Sequence, residues 1–586
     1  MVGGTIMQLI RRNRNPSLRV TRQIPNVEKI RVREAREFKG GLNTFDTPLN
    51  LSTRFIIECR NLYPDTNGRL RLRYGTSVFA DVTGVLDEII AMEYYNTGII
   101  AVGKNGKIVS INASGVATLR WDATIADNSV APSGNNSPSG WSTGLTFASF
   151  TQFAGDLIIC NGVDKPLRMQ PNYACTYLYD AGTASNVNVP IAKFCTTCNN
   201  YLILANTTTD KTTLYIGMKA VAGTFVGDPG VDNDAVNFVT NTYVNRGSPD
   251  ITGIAAFRDT LIVSFNETLL AIKLGTYDTS GNHPAHIPDV EDVIENHGSV
   301  SHRCLVPLGD DILLLDQAGM AGVQRAALTA KLSPTRESTL IGTDLQQSLA
   351  PFTQAQLEQH VFAIHDRIAQ HIMFFVPKSD TVAVNTDNNV FVYCFDRALK
   401  FNAWAYFDQM AYRCGCRTAE GRIFLAQGVK VFFYHNQYNP LYNDYSIGGT
   451  QTWDTGQLWD DNTGWEELSN AVGVPIPYTF ATPWSDMRTT GMLKYSKYAS
   501  VICEGNGTFS LQMFVDDFLQ PELSMQFQMT EIPANTNVAT RPANNAQLYA
   551  WPAKFNSMRL RVTGESNAYI AFVGLQMYYI TGSIRR

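Results

Sequence analysis

The sequence predicts an all-β chain built on a β-propeller of about seven blades, and three observations carry that expectation. The first is ITGIAAFRDTLIVSFNETLLAIKLG, residues 251–275. It reads as three short apolar runs joined by the polar corners Phe257 to Thr260 and Asn266 to Glu267. Runs of about five to seven residues between such corners suit buried strands and are too short for helices. The second observation is that the unit recurs, with corners at Gly98, Gly155, Asn199, Asp259, Asp310 and Gly421. The first four steps are 57, 44, 60 and 51 residues, and the last gap of 111 holds one more unit, His360 to Asp396. A spacing near 50 is that of propeller blades, each roughly 40 to 50 residues of four-stranded sheet. The third is composition: 44% hydrophobic, 11% aromatic and rich in Gly, Asn and Thr, which favours strands and turns over helices. A sandwich or solenoid is the competing architecture, but no short constant repeat of the solenoid kind is visible.

Three regions follow: a basic N-terminal arm and hairpin (1–75), the propeller (76–440) with long polar insertions at 218–250 and 276–301, and a small antiparallel β domain (441–586). The last region is read as a possible partner of the N-terminal segment in one platform. Met1 to Ile10 has no charged segment ahead of its apolar residues, the wrong order for a secretory signal. No apolar run reaches the length a membrane helix needs, so no membrane segment is expected. The ten cysteines lie scattered in apolar runs and read as buried hydrophobes of a reducing cytoplasm. Charge is uneven. Residues 1–73 hold 15 Lys and Arg against 6 Asp and Glu, so a chain of net charge −5 divides into a +9 head and a −14 body. A basic end on an acidic body suggests an arm that docks on something negative.

Taken in order, residues 1–37 carry Arg11, Arg12 and Arg14, are interrupted by Pro16 and Pro25, and read as an extended arm. Asp65 to Gly68 then supplies a hairpin turn, after which Arg69, Arg71 and Arg73 alternate with Leu70, Leu72 and Tyr74. Alternation puts the three arginines on one face of a strand.

Three segments carry a resemblance: Phe38 to Gly75 with its GGLN, TPLNL and NGRLRLRYG stretches, Asn389 to Ala405 (NVFVYCFDRALKFNAWA), and Met558 (MRLRVTG) to Arg586. In this order, around a propeller, they resemble the tail nozzle, tail hub or packaged-DNA stabilisation proteins of short-tailed bacteriophages. The resemblance implies a homohexameric ring below the portal and the head-to-tail adaptor ring. It implies further contacts with tail-fibre, tailspike or tail-needle proteins, and transient, non-specific contact with double-stranded DNA in the channel. The implied location is the virion tail, after assembly in the bacterial host cytoplasm. On this reading Arg11, Arg12, Arg14, Arg69, Arg71 and Arg73 are candidates for docking on the adaptor.

The insertion at 276–301 is the candidate gate. It holds Asp278, Asp289, Glu291, Asp292 and Glu295 with His283, His286 and His297, and no Lys or Arg before Arg303. Ile287, Val290, Val293 and Ile294 have a spacing that suits a short amphipathic helix. A solvated surface insertion is the alternative. Catalytic motifs are weak. Gly140 to Gly144 matches the nucleophile-elbow pattern, yet Ser142 has a polar loop before it and a β run after it. Cys195 and Cys198 lack a second pair at zinc spacing, and Asp228, Asp232 and Asp234 lack the glycine and glutamate of a calcium loop. No catalytic residue, metal or cofactor is expected. The rival function is a propeller that binds or hydrolyses host surface polysaccharide, since such enzymes set carboxylates at the axial mouth.

Overall fold

The computed structural model describes residues 31–49, 51–122, 140–180, 187–227, 234–274, 288–308, 311–325, 332–378, 387–444, 474–486, 492–516, 521, 523–529, 549–550 and 553–581. Among these, seven four-stranded antiparallel units follow one another. Blades 1 to 5 run from Ile89 to Trp121, Ser149 to Tyr177, Ala192 to Val239, Gly253 to Glu295 and Val306 to Arg336. Blade 6 runs from Phe362 to Phe407, which places the unit hidden in the longest corner spacing. Blade 7 takes three strands from Cys414 to Tyr434 and its fourth from far upstream, where Thr76–Asp81 pairs with Lys430–Tyr434.

The recurring corner explains the repetition. In blades 1 to 4 the first two strands join through two-residue hairpins, with Tyr95 opposite Gly98, Phe153 opposite Asp156, Cys198 opposite Tyr201 and Phe257 opposite Thr260. Asn96, Ala154, Asn199 and Arg258 at these corners all have positive φ. Tight hairpins select such turns because their twist matches that of the flanking strands. The second strand of each blade is nearly all apolar and buried on both faces, as in Asp156–Cys160 and Thr260–Ser264. Blade faces then share cores: Leu157 and Ile159 of blade 2 pack with Ile100 and Val102 of blade 1, and Ile203 of blade 3 with Val263 of blade 4. First strands touch their successors from blade 2 round to blade 7, that of blade 7 touches that of blade 1, and blades 1 and 2 share a core, so the ring closes.

Beside the propeller stands a two-sheet β-sandwich made from both flanks of the chain. Arg31–Arg36 and Leu70–Leu72 pair with Ile570–Thr581, which also pairs with Lys494–Gly505. In the second sheet Glu58–Arg60 pairs with Val474–Ala481, followed by Met558–Ser566, Gly507–Val515 and Leu523–Met529. Phe572 of the first sheet meets Phe480 at 5.0 Å, Phe509 at 5.4 Å and Tyr478 at 5.6 Å from the second. Two apolar sheet faces must cover one another, and this aromatic cluster is where they do. The first sheet runs on into the propeller, because Leu62 pairs with Tyr406 on the outer strand of blade 6.

Two expectations fail here. Residues 218–250 and 276–301 are not mere insertions: they contain the fourth strands of blades 3 and 4, Val236–Val239 and Asp289–Glu295. The helix expected through Val290, Val293 and Ile294 is that second strand, paired with Thr268–Lys273.

Candidate functional site

The junction between sandwich and propeller collects the three hairpin arginines that the sequence singles out. Arg73 is completely buried there. Its guanidinium donates to Asn61 Oδ1 at 2.9 Å, the Tyr74 carbonyl at 3.1 Å, the Asp408 carbonyl at 3.3 Å and both carboxylate oxygens of Asp444, one of them at 3.0 Å. Those partners lie on the hairpin, at the end of blade 6 and where the chain leaves blade 7, so one side chain ties three crossings together. Asn61 completes the knot in a left-handed conformation, donating to the Pro477 carbonyl at 2.7 Å and accepting from the Asp408 amide at 2.8 Å. Asp408 is also held by Arg60 and Lys378.

Arg69 pairs with Asp65 at 3.0 Å and with Glu504 of the sandwich at 2.9 Å. Arg71 lies 5.4 Å from the centre of the Tyr569 ring. The three arginines therefore do not form an outward docking face. Alternation gives each an environment within the junction, and Leu70 and Leu72 fill the core between them. Arg11, Arg12 and Arg14 lie outside the described residues.

Arg71 opens onto a cleft of 290 Å³ between the hairpin and blade 6, whose walls include Tyr63, Tyr74, Phe395 and His371. His371 is buried against Tyr63, ring centres 4.5 Å apart. Burial, and then the charge of Arg71, push its pKa down to about 3, so the imidazole is neutral.

The carboxylates read as a gate divide in two. Asp278, His283 and His286 lie outside the described residues. Asp289, Glu291, Asp292 and Glu295 sit on the outermost strand of blade 4, as far from that blade's axial strand as a strand can be. Glu291 lies 3.9 Å from Lys273 and Glu295 3.8 Å from Arg246, while His297 faces Asp316 at 3.7 Å. The inner axis of the propeller is not where this cluster is found.

That axis is occupied at the end where first strands begin. Arg303, set by a turn capped by Ser301, donates to the Ile90 carbonyl of blade 1 at 3.3 Å and to the Gln359 carbonyl ahead of blade 6. Its guanidinium lies 5.1 Å from the Phe147 ring centre, and Lys193 reaches the same ring while paired with Glu358. His302 stacks on Phe194 and is held neutral, with a pKa near 4, by burial and then by Arg303. At the far end Arg417 lies among Glu93, Asp366 and Arg367, and burial raises the Glu93 pKa to about 7. Sequence reading missed Arg303, which carries no motif; only its place ahead of a blade's first strand could have marked it.

Among the described residues no group of three or more His, Cys, Asp or Glu could hold a metal ion, and all ten cysteines are buried and free. Ser142 is exposed, its hydroxyl donating to Asp164 at 2.8 Å, and among the described residues no histidine bonds to either. No protein-family model and no curated protein matches the chain. Among solved structures it is similar to the WD40 β-propeller domain of Doa1 (8% identity, 62% of this chain and 98% of that one, TM-score 0.34). It is also similar to a streptogramin B lyase (10%, 62% and 97%, TM-score 0.34) and to BamB from Moraxella catarrhalis (11%, 66% and 98%, TM-score 0.33).

Proposed function

We propose that the chain is a structural ring subunit of a short-tailed bacteriophage tail: a homohexameric nozzle or hub, below portal and adaptor, that retains packaged DNA and forms its exit channel. One observation carries this reading. The three segments whose order resembles the nozzle proteins are remote in sequence, yet strands from all three pair in one continuous sheet, Asn388–Asp396, Phe401–Phe407, Leu62–Pro64, Leu70–Leu72 and Ile570–Thr581. A shared motif order is more telling when its pieces form one structural unit. The DNA channel of such a ring lies between subunits, because Arg303 and its neighbours bridge blades across one end of each propeller's axis. Arg31–Arg36, which pairs on one side only among the described residues, offers an edge on which another chain can add a strand. The test is reconstitution: purified chain added to DNA-filled heads that lack it should co-sediment with them and slow DNA loss. Heads that leak equally with and without it would refute the role.

A second reading, a glycan hydrolase, rests on Glu93 and Asp366. Both carboxyls are raised above their ordinary values by burial, both lie near Arg417, and they share one end of the propeller axis. A carboxyl poised near neutrality is suited to general acid work. Glu93→Gln should abolish polysaccharide cleavage if that reading holds; absence of cleavage by the parent protein removes it.

A further inference from the structure

The cleft at the sandwich–propeller junction has the make-up of a ligand site, and the argument for one stands whether or not the chain is a tail subunit. Arg71 projects from the middle of Leu70–Leu72, and pairing with Tyr63 on one side and Ala571 on the other fixes its backbone. The Tyr569 ring covers one face of its guanidinium. Among the described residues no hydrogen bond or ion pair holds its guanidinium; the Nε–H is buried, so a ligand in the cleft meets the terminal N–H groups. The nearest candidate, Asp65, is already committed: it accepts from Arg69 Nε at 3.0 Å and from the amides of Asn67 and Arg69 at 3.0 and 2.8 Å. A guanidinium held at a cleft wall with no anionic partner is placed to take one from solution.

The remaining walls say which kind. Tyr63 and Tyr74 give aromatic surface. Asp396 also lines the cleft, and one of its oxygens accepts from the Leu399 amide at 3.1 Å. Gln370 and Gln437, both exposed, bring side-chain amides to the rim. A volume of 290 Å³ is at the small end of the range for ligand sites, which favour domain junctions, and suits a single small molecule. Guanidinium matches carboxylate, while a carboxylate and amides match hydroxyl groups. We infer that this cleft binds a small hydroxylated carboxylate of the sugar-acid class, its carboxylate on Arg71 and its hydroxyls toward Asp396 and the two amides.

The experiment is calorimetric titration of the full chain with glucuronate, glucose and acetate at matched ionic strength. Glucuronate should bind saturably, and at least tenfold more tightly than either of the others, since each of those offers only half of the recognised groups. Arg71→Gln should weaken glucuronate at least tenfold. If that variant does not fold, Asp396→Asn and Gln437→Ala, which change groups at the rim, decide the matter by weakening it several-fold. No saturable binding, equal binding of acetate and glucuronate, or unchanged affinity in the variants that fold would overturn the site.

Discussion

Arg73 shows how much one side chain can organise. It is completely buried, its charge is answered by Asp444, and its other donors reach carbonyl and amide oxygens of two separate crossings. Removing one partner of a buried pair leaves the other charge uncompensated, which costs about 3–5 kcal/mol. Arg73→Met should therefore lower stability by that order in chemical denaturation, and pairing it with Asp444→Leu should recover part of the loss. A loss below about 1 kcal/mol, the range of an exposed pair, would contradict the assignment. His371 makes a pH prediction. Its folded pKa of about 3 lies below the ~6.5 of an unfolded histidine. The unfolded chain thus takes up the proton first, so stability is fully present above pH ~6.5 and is lost as pH falls through the window toward about 3. Glu93, raised to about 7, slopes the opposite way across part of that window, so the comparison has to be between parent and variant. His371→Gln should flatten the fall in melting temperature between pH 7 and pH 4, and an unchanged slope would show the imidazole is not held neutral by the fold.

At the scale of elements, the outer strand of blade 4 explains why its sequence reads as a helical insertion and not as a strand. Its register against Thr268–Lys273 shifts at a bulge: Ile272 faces Val290 and Ala271 faces Asp292, leaving Glu291 extra. A bulge breaks the period of two. Val290 and Val293, three apart, therefore pack on the same core between blades 3 and 4, while Ile294 turns to the core between blades 4 and 5. That is helical spacing produced by a strand. The outer strand of blade 3, Val236–Val239, was hidden for a simpler reason: it is four residues long, with only Val236 and Phe238 half-buried, too short a pattern to stand out in a polar stretch. The inner hairpins were legible because corner chemistry and double-sided burial both leave marks, as at Ala154-Gly155 before Asp156–Cys160. The arginines of the hairpin misled because period two says that alternate side chains share a face and not whether that face looks outward. Replacing residues 278–297 with a Gly/Ser linker should now strip blade 4 of its fourth strand and destabilise the fold broadly. Asp289→Asn with Glu295→Gln, which keeps the strand, should change stability by no more than about 0.5 kcal/mol. Equal damage from both would contradict the strand assignment.

For the whole molecule, the decisive pairings are remote in sequence and left no local signature. Thr76–Asp81 completes a blade whose other strands begin at Cys414, and the 31–72 region completes a sandwich whose other strands begin at Asn443. Closing a ring through its first and last strands leaves no open junction between blades, so stability should depend on that strand out of proportion to its size. Deleting residues 1–81 should abolish the cooperative melt, because it removes the closing strand together with the sandwich strands Arg31–Arg36, Glu58–Arg60 and Leu70–Leu72; a chain that melts as sharply as the parent would show that closure is dispensable. The ring role asks more, namely that six such closed units associate. Native mass measurement of the purified full-length chain tests that most directly: the account expects a stable species near six times 64.9 kDa, and a monomer persisting across the concentration range of assembly would contradict it.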